Sequence, residues 1–126
     1  DSRAAGRWGE ALVYQYLLSQ CAPGGSVHWL NQVDESRAAY DFIVTAPVGA
    51  PALRTEYVEV KTTRFVDRNV FEISPGEWQF ASSDSRVPYH IYRVYSAGDA
   101  EKVRMVVVRD ICARVQEGRI KLCMAV

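Results

Sequence analysis

The spacing of apolar and polar positions changes along the chain, and each change marks an element. From Ser2 to Gln20, Trp8, Ala11, Leu12 and Gln15 fall on one side of a 3.6-residue repeat, with Val13, Tyr14 and Leu17 beside them, so a helix is predicted. Ser2 is its candidate cap. Gly6 and Gly9 weaken helix propensity and are expected where the helix lies close to a neighbour. Cys21-Ala22-Pro23-Gly24-Gly25 ends it. The period then falls to two. Val27–Leu30, Tyr40–Thr45 and Glu56–Thr62 predict strands, with a polar loop from Asn31 to Ala39 and a turn from Ala46 to Ala52. The third strand sets Tyr57, Glu59 and Lys61 on one face and Val58, Val60 and Thr62 on the other. Ser74-Pro75-Gly76-Glu77 combines a cap, a first-turn proline and a capping-box glutamate. It predicts a second helix that carries Trp78 and Ala81 inward and ends near Ser82-Ser83-Asp84. Strands follow at His90–Tyr95 and Val103–Arg109, separated by Ser96-Ala97-Gly98-Asp99. Asp110 is the candidate cap of a short helix stopping at Gly118, and a terminal strand is expected from Ile120.

The order is helix, three strands, helix, two strands and a tail. That order predicts an α/β (α+β) fold with a mixed central sheet flanked by helices. With 126 residues and 48% apolar side chains, the chain is one domain, residues 1–126, with a core of its own. It contains no apolar run long enough to span a membrane, and no membrane partner is expected. It starts at Asp1 without Met or a leader-like segment, so it reads as a piece of a larger protein. Three cysteines, Cys21, Cys112 and Cys123, form no CxxC pair. They read as small buried hydrophobes in a reducing, intracellular compartment, cytoplasmic or nuclear. Zero net charge argues against a domain that grips nucleic acid by bulk electrostatics. The basic side chains are nonetheless mostly Arg, the better fork for phosphate oxygens. His28 and His90 lack partners at metal-ligand spacing.

The chemistry concentrates in two adjacent predicted strands. Asp41 stands between Tyr40 and Phe42, and Glu59 is wedged between two valines. A carboxylate inside a sheet is costly unless something pairs with it. Glu59 and Lys61 share a face, about 7 Å apart along the strand. If the two strands form a hairpin, Asp41 stands beside Glu59, and two adjacent carboxylates call for a cation. Mg²⁺ or Mn²⁺ suits Asp41, Glu59 and the carbonyl of Val60 as its protein ligands, and Lys61 can orient a water or neutralise growing negative charge. Glu10, on the first helix, is a candidate fourth member of this catalytic and metal set. Thr62, Thr63, Arg64 and Arg68 lead out of the strand and are candidate phosphate contacts. Asn31, Glu35 and Ser36 precede Asp41 and are candidates to line the cleft, with Asn31 a further candidate nucleic-acid contact. Glu77 is explained as a capping residue. His90 and Arg93 fall on opposite faces of their strand, so at most one of them points at a given site.

The order Glu10, Asp41, Glu59-Val60-Lys61 resembles the PD-(D/E)XK nuclease superfamily, with Ala39 where the motif expects Pro. More closely, the chain resembles the NO VEIN C-terminal domain family. The stretches that carry this likeness run from Gly6-Arg7-Trp8-Gly9-Glu10 through Trp29-Leu30-Asn31, Glu35-Ser36, Tyr40-Asp41-Phe42 and Tyr57-Val58-Glu59-Val60-Lys61-Thr62-Thr63. They continue with Phe71-Glu72-Ile73-Ser74, Glu77-Trp78 and Tyr89-His90-Ile91-Tyr92-Arg93-Val94. The resemblance implies a restriction-endonuclease-like α-β-β-β-α-β core and a metal site at Asp41 and Glu59 with Lys61 assisting. It also implies DNA or RNA as substrate, and a larger parent chain of ATPase or helicase type. A homodimer and an inactive binding module are the alternatives it leaves open.

Overall fold

The computed structural model describes residues 2–83 and 87–126. Helix α1 (Ser2–Gln20) buries a narrow stripe, Ala5, Gly9, Val13 and Leu17, at four-residue spacing. Trp8, Leu12 and Tyr14 flank the stripe, whereas Ala11 and Gln15 are exposed, so the buried face is turned from the one expected. Ser2 lies inside the helix rather than ahead of it. Gly9 is where the helix touches the sheet: a Cβ there would lie 2.0 Å from Thr62 Oγ1. Gly6 has no neighbour within 4 Å, so close approach does not account for it.

Five strands follow: β1 (Ser26–Trp29), β2 (Phe42–Gly49), β3 (Ala52–Thr62), β4 (Tyr89–Tyr95) and β5 (Arg104–Val108). They lie in the sheet in chain order. All neighbours are antiparallel except β3 and β4, which run parallel. A parallel pair needs a crossover, and α2 (Pro75–Ala81) lies in that crossover. The capping box at its start is complete, with Ser74 Oγ accepting from Glu77 N–H and Glu77 Oε1 accepting from Ser74 N–H. Helix α3 (Ile111–Gln116) follows β5. The fold is mixed α/β.

The two faces of the sheet carry separate cores. Under α1, Val13 and Leu17 pack with Phe42, Val58, Val60, Tyr92 and Val94. On the opposite face, Ala81 and Ile111 pack with Tyr89 and Ile91, ringed by Tyr40, Tyr57, Phe71, Ile73, Trp78 and Phe80. Strand β4 is buried along its whole length because both faces and both edges are covered.

Four expectations give way here. Ala46–Gly49 is strand, and the turn shrinks to Ala50–Pro51. Strand β1 pairs with β2 only as far as Thr45, so Pro47 sits where the outer edge of β2 has no strand partner and needs no N–H. No strand forms after Ile120. Residues 121–126 are irregular and exposed, and no strand pairs with the outer edge of β5 among the described residues. Asp110 occupies the N-cap position of α3 in a left-handed conformation (φ 49°) and makes no side-chain cap; its N–H donates to His90 Nδ1 at 3.0 Å. Finally, the cysteines are not buried: Cys123 is exposed, and Cys21 and Cys112 are half-buried. Asp84, at the expected end of α2, lies outside the described residues.

Candidate active site where the second and third strands part

Strand β2 begins at Phe42, opposite Val58, while β3 runs on to Thr62. Past Phe42 the backbone of β3 would lose its partner on that side. Asp41 supplies one: its N–H donates to the Val58 carbonyl at 2.8 Å, and its Oδ2 accepts from Val60 N–H at 2.7 Å. This grip sets the Asp41 carboxyl beside Glu59, close enough for each to act on the other's charge. In an extended strand the N–H and C=O of one residue leave by the same edge, so the Val60 carbonyl also faces the Asp41 side.

The other oxygen of Asp41, Oδ1, accepts from Asn31 Nδ2 at 2.8 Å. The same Asn31 nitrogen lies 3.4 Å from Glu10 Oε1, which also accepts from Trp29 Nε1 at 2.9 Å. Ser36 N–H donates to Asn31 Oδ1 at 2.7 Å and folds the loop back. Arg7 donates to the carbonyls of Asn31 and Gln32 and lies over the Trp29 ring. Asn31 therefore bridges two carboxylates and braces the acidic cluster.

On the α2 face, Lys61 Nζ lies 3.3 Å from Glu59 Oε2 and 2.9 Å from Glu77 Oε1. Glu77 thus performs two tasks, capping α2 and holding Lys61. The sequence discloses only the first, because a capping box fully accounts for a glutamate at that position. Tyr89, buried beneath the cluster, donates its hydroxyl to the Ala39 carbonyl at 2.5 Å and fixes the chain just ahead of Asp41.

These contacts set the electrostatics. Burial, then the charge of Glu10, pushes Asp41 up to about 6 against the pull of the Val60 N–H. Burial and Asp41 push Glu59 up to about 10, with Lys61 opposing. For Lys61, burial acts downward but the two glutamates outweigh it, so its pKa rises and the ammonium stays charged. Glu77 is buried too, yet Lys61 and the Ser74 N–H lower it. Burial likewise pushes the Tyr89 phenol upward. Two crowded acids that resist joint ionisation are the electrostatic signature of a cation-accepting pair.

The donor set fits a hard divalent ion in part. Asp41, Glu59 and the Val60 carbonyl offer oxygen, and Mg²⁺ commonly takes one or two carboxylates with water and substrate oxygens making up the rest. Glu10 does not complete a three-carboxylate cage. Among the described residues, no group of three or more His, Cys, Asp or Glu is placed to hold a metal, and Glu10 is tied to Trp29 and Asn31 instead.

Beside Lys61 opens a cleft of about 930 Å³, lined among others by Val60, Thr63, Phe65, Arg68 and Arg93. The expected phosphate contacts divide. Thr62 points away: strand alternation turns its side chain to α1, where Oγ1 is buried against Gly9. The Thr63 hydroxyl is buried and accepts from Phe65 N–H at 3.2 Å, closing a local turn. Arg68 borders the cleft and stacks over Phe65 at 4.1 Å. Arg64 is exposed on the same loop. Glu35 is exposed, 3.8 Å from Arg3, and takes no part in the acidic cluster.

A family model described as protein NO VEIN, C-terminal, matches residues 9–106, a span that holds Glu10, Asp41, Glu59, Lys61 and Glu77. The chain belongs to the NO VEIN C-terminal family. Protein NO VEIN-LIKE of Arabidopsis thaliana is 31% identical over 93 residues, covering 72% of this chain and 14% of that protein. Protein NO VEIN of Arabidopsis thaliana is 32% identical over 82 residues, covering 65% of this chain and 3% of that protein. The chain thus spans a small fraction of either relative. No solved structure matches it. The NO VEIN C-terminal match takes in α1 from Gly9 and nearly all of the sheet, and it leaves out α3 and the tail. No described helix is long and apolar enough to cross a membrane.

Proposed function

We propose that this NO VEIN C-terminal domain is a divalent-metal-dependent phosphodiesterase acting on nucleic acid, of the PD-(D/E)XK type. The carrying observation is the placement of Asp41 and Glu59 in one buried pair, with the Lys61 ammonium 3.3 Å from Glu59 at the mouth of a cleft. The element order α1-β1-β2-β3-α2-β4 supports the same reading.

Asp41, Glu59 and the Val60 carbonyl would hold Mg²⁺ or Mn²⁺, which supplies a water of lowered pKa and a charge against the attacked phosphoryl group. The protein's own contributions follow from the geometry. The Val60 N–H and Asn31 fix the Asp41 carboxylate from both oxygens, so it needs no reorganisation. Lys61 is held charged between Glu59 and Glu77, which suits it to neutralise negative charge on the substrate rather than to accept a proton. Its anchorage in α2 keeps the amine from swinging away into solvent.

One observation favours a second reading, a nuclease-fold module that binds nucleic acid or a protein partner without cutting. Lys61 is engaged by two glutamates, in a cluster where, among the described residues, no third carboxylate completes a metal cage with Asp41 and Glu59. A cleavage assay separates the two. Labelled DNA and RNA are incubated with the domain in Mg²⁺, Mn²⁺ or EDTA. Metal-dependent cleavage that falls about 100-fold or more in Glu59→Ala and Lys61→Ala is expected. Equal degradation by wild type and both variants refutes the enzymatic reading, and binding without cleavage establishes the second.

A further inference from the structure

Arg93 has no part in the scheme above, yet its surroundings are unusual. It lies on β4 in register with Lys61, and paired residues of parallel strands leave the sheet on one face. Both side chains line the same cleft. Arg93 is only 4% exposed. A buried guanidinium ordinarily has a carboxylate partner, but no acid lies within ion-pair distance of Arg93 among the described residues. Its Nη2 donates to the Arg68 carbonyl at 2.5 Å, while its Nε is buried without any partner. The rings of Phe71 and Tyr95 each stand 5.2 Å from the guanidinium carbon, and Asn69 Oδ1 accepts from the Tyr95 hydroxyl at 2.8 Å.

The guanidinium is braced by two aromatic rings and one carbonyl and left with an unused donor beside the cleft. We infer that Arg93 is a phosphate receptor that takes a phosphodiester oxygen of the nucleic-acid strand next to the group at Lys61. The adjacent strands are about 4.8 Å apart, so the two cations address the same or neighbouring phosphates. A planar fork held between rings suits a phosphoryl oxygen better than a mobile ammonium would. The acids on this cleft, Asp67 and Glu72, are exposed and leave the fork unpaired. The inference rests on the nucleic-acid reading above, but it does not require cleavage.

Its test is binding in EDTA, where no metal contributes. A short fluorescein-labelled oligonucleotide, single-stranded and as a duplex, is titrated with wild type and Arg93→Gln across a range of salt. Losing one charged contact should weaken binding about 10- to 100-fold and flatten the log–log salt slope by about 0.7 to 0.9. A variant that merely loosened the fold would not change that slope by one phosphate. Should Arg93→Gln fail to fold, the wild-type Arg93 Nε–H resonance, identified by its absence in Arg93→Lys, is followed during the titration. Its displacement at saturation supports the receptor. An unmoved resonance, an Arg93→Gln protein with wild-type affinity and slope, or a wild type that binds no oligonucleotide overturns it. Binding through Arg93 with no Mg²⁺-dependent cleavage removes the enzyme and keeps the receptor; cleavage with Arg93 unaffected does the reverse.

Discussion

Neighbouring residues of β3 show how differently the two faces of one sheet are used. Val60, 8% exposed, points to α1 and packs among Val13, Phe42 and Val58. Glu59, 7% exposed, points the other way toward Lys61 and Glu77. Burial is the same, but its sign is not. Removing an apolar side chain from water stabilises the fold by about 1.5–3 kcal/mol, whereas removing an ionised carboxylate opposes it. The α1 face is apolar at this point of β3, whereas the opposite face adds to its own apolar core a buried acid pair whose cost a cation would relieve. A stable face can carry a costly one, provided that they share a strand rigid enough to keep them in register.

The largest effect expected from this contrast is on the α1 side. Phe42→Ala should cost about 3–5 kcal/mol in urea melts, because Phe42 is fully buried between Tyr14, Trp29 and the strands. A loss below about 1 kcal/mol would mean that the stabilising face has been misassigned.

The next effect separates the faces by pH. Asp41 is raised from 3.8 to about 6, chiefly by burial. A carboxyl that keeps its proton longer when folded stabilises the fold below its unfolded value, and that contribution is lost as pH rises through the folded value. In EDTA, stability should fall by on the order of 3 kcal/mol between about pH 4 and pH 7. That figure is the Asp41 share; Glu59, raised from 4.5 to about 10, adds to the fall above pH 4.5 and carries it on toward alkaline pH. Asp41→Asn should make the fall between about pH 4 and pH 6 shallower without abolishing it. A wild-type profile that rises across this window would contradict the assignment.

The smallest effect sharpens the polar face. Ser74→Ala removes the cap of α2 and should cost about 1 kcal/mol. Because the same box positions Glu77 against Lys61, the Lys61 Nζ–Glu77 contact should loosen, seen as faster exchange of the ammonium protons by NMR. Unchanged exchange would show that Lys61 holds Glu77 rather than the reverse.

Much of this architecture is readable from residue patterns. The β-branched alternation of residues 56–62 and the capping signals at Ser74 locate β3 and α2 because local geometry alone decides them. Asp41 and Glu59 stand out because a carboxylate between apolar strand neighbours is costly, and Lys61 because it shares a face with Glu59. What escaped depends on partners distant in sequence. Pro47 is compatible with a strand only because β1 stops at Thr45. Residues 121–126 stay irregular although the outer edge of β5 is unpaired among the described residues, so their apolar pattern alone does not make a strand. That Thr62, a candidate phosphate contact, lies against α1 at Gly9 depends on a helix about fifty residues away in sequence. Arg93 carries a faint signal, a cation in the run from Tyr89 to Tyr95, but that no acid pairs with it among the described residues emerges only when the surroundings are assembled.

The parallel pairing of β3 with β4 has a corollary for the cleft. Joining the two strands obliges the polypeptide to travel around the sheet, and residues 63–74, the first part of that journey, form the wall beside Lys61. Lengthening such a stretch adds little closure entropy. The entrance can therefore lengthen or shorten here while the acids, the amine and their strands stay in place.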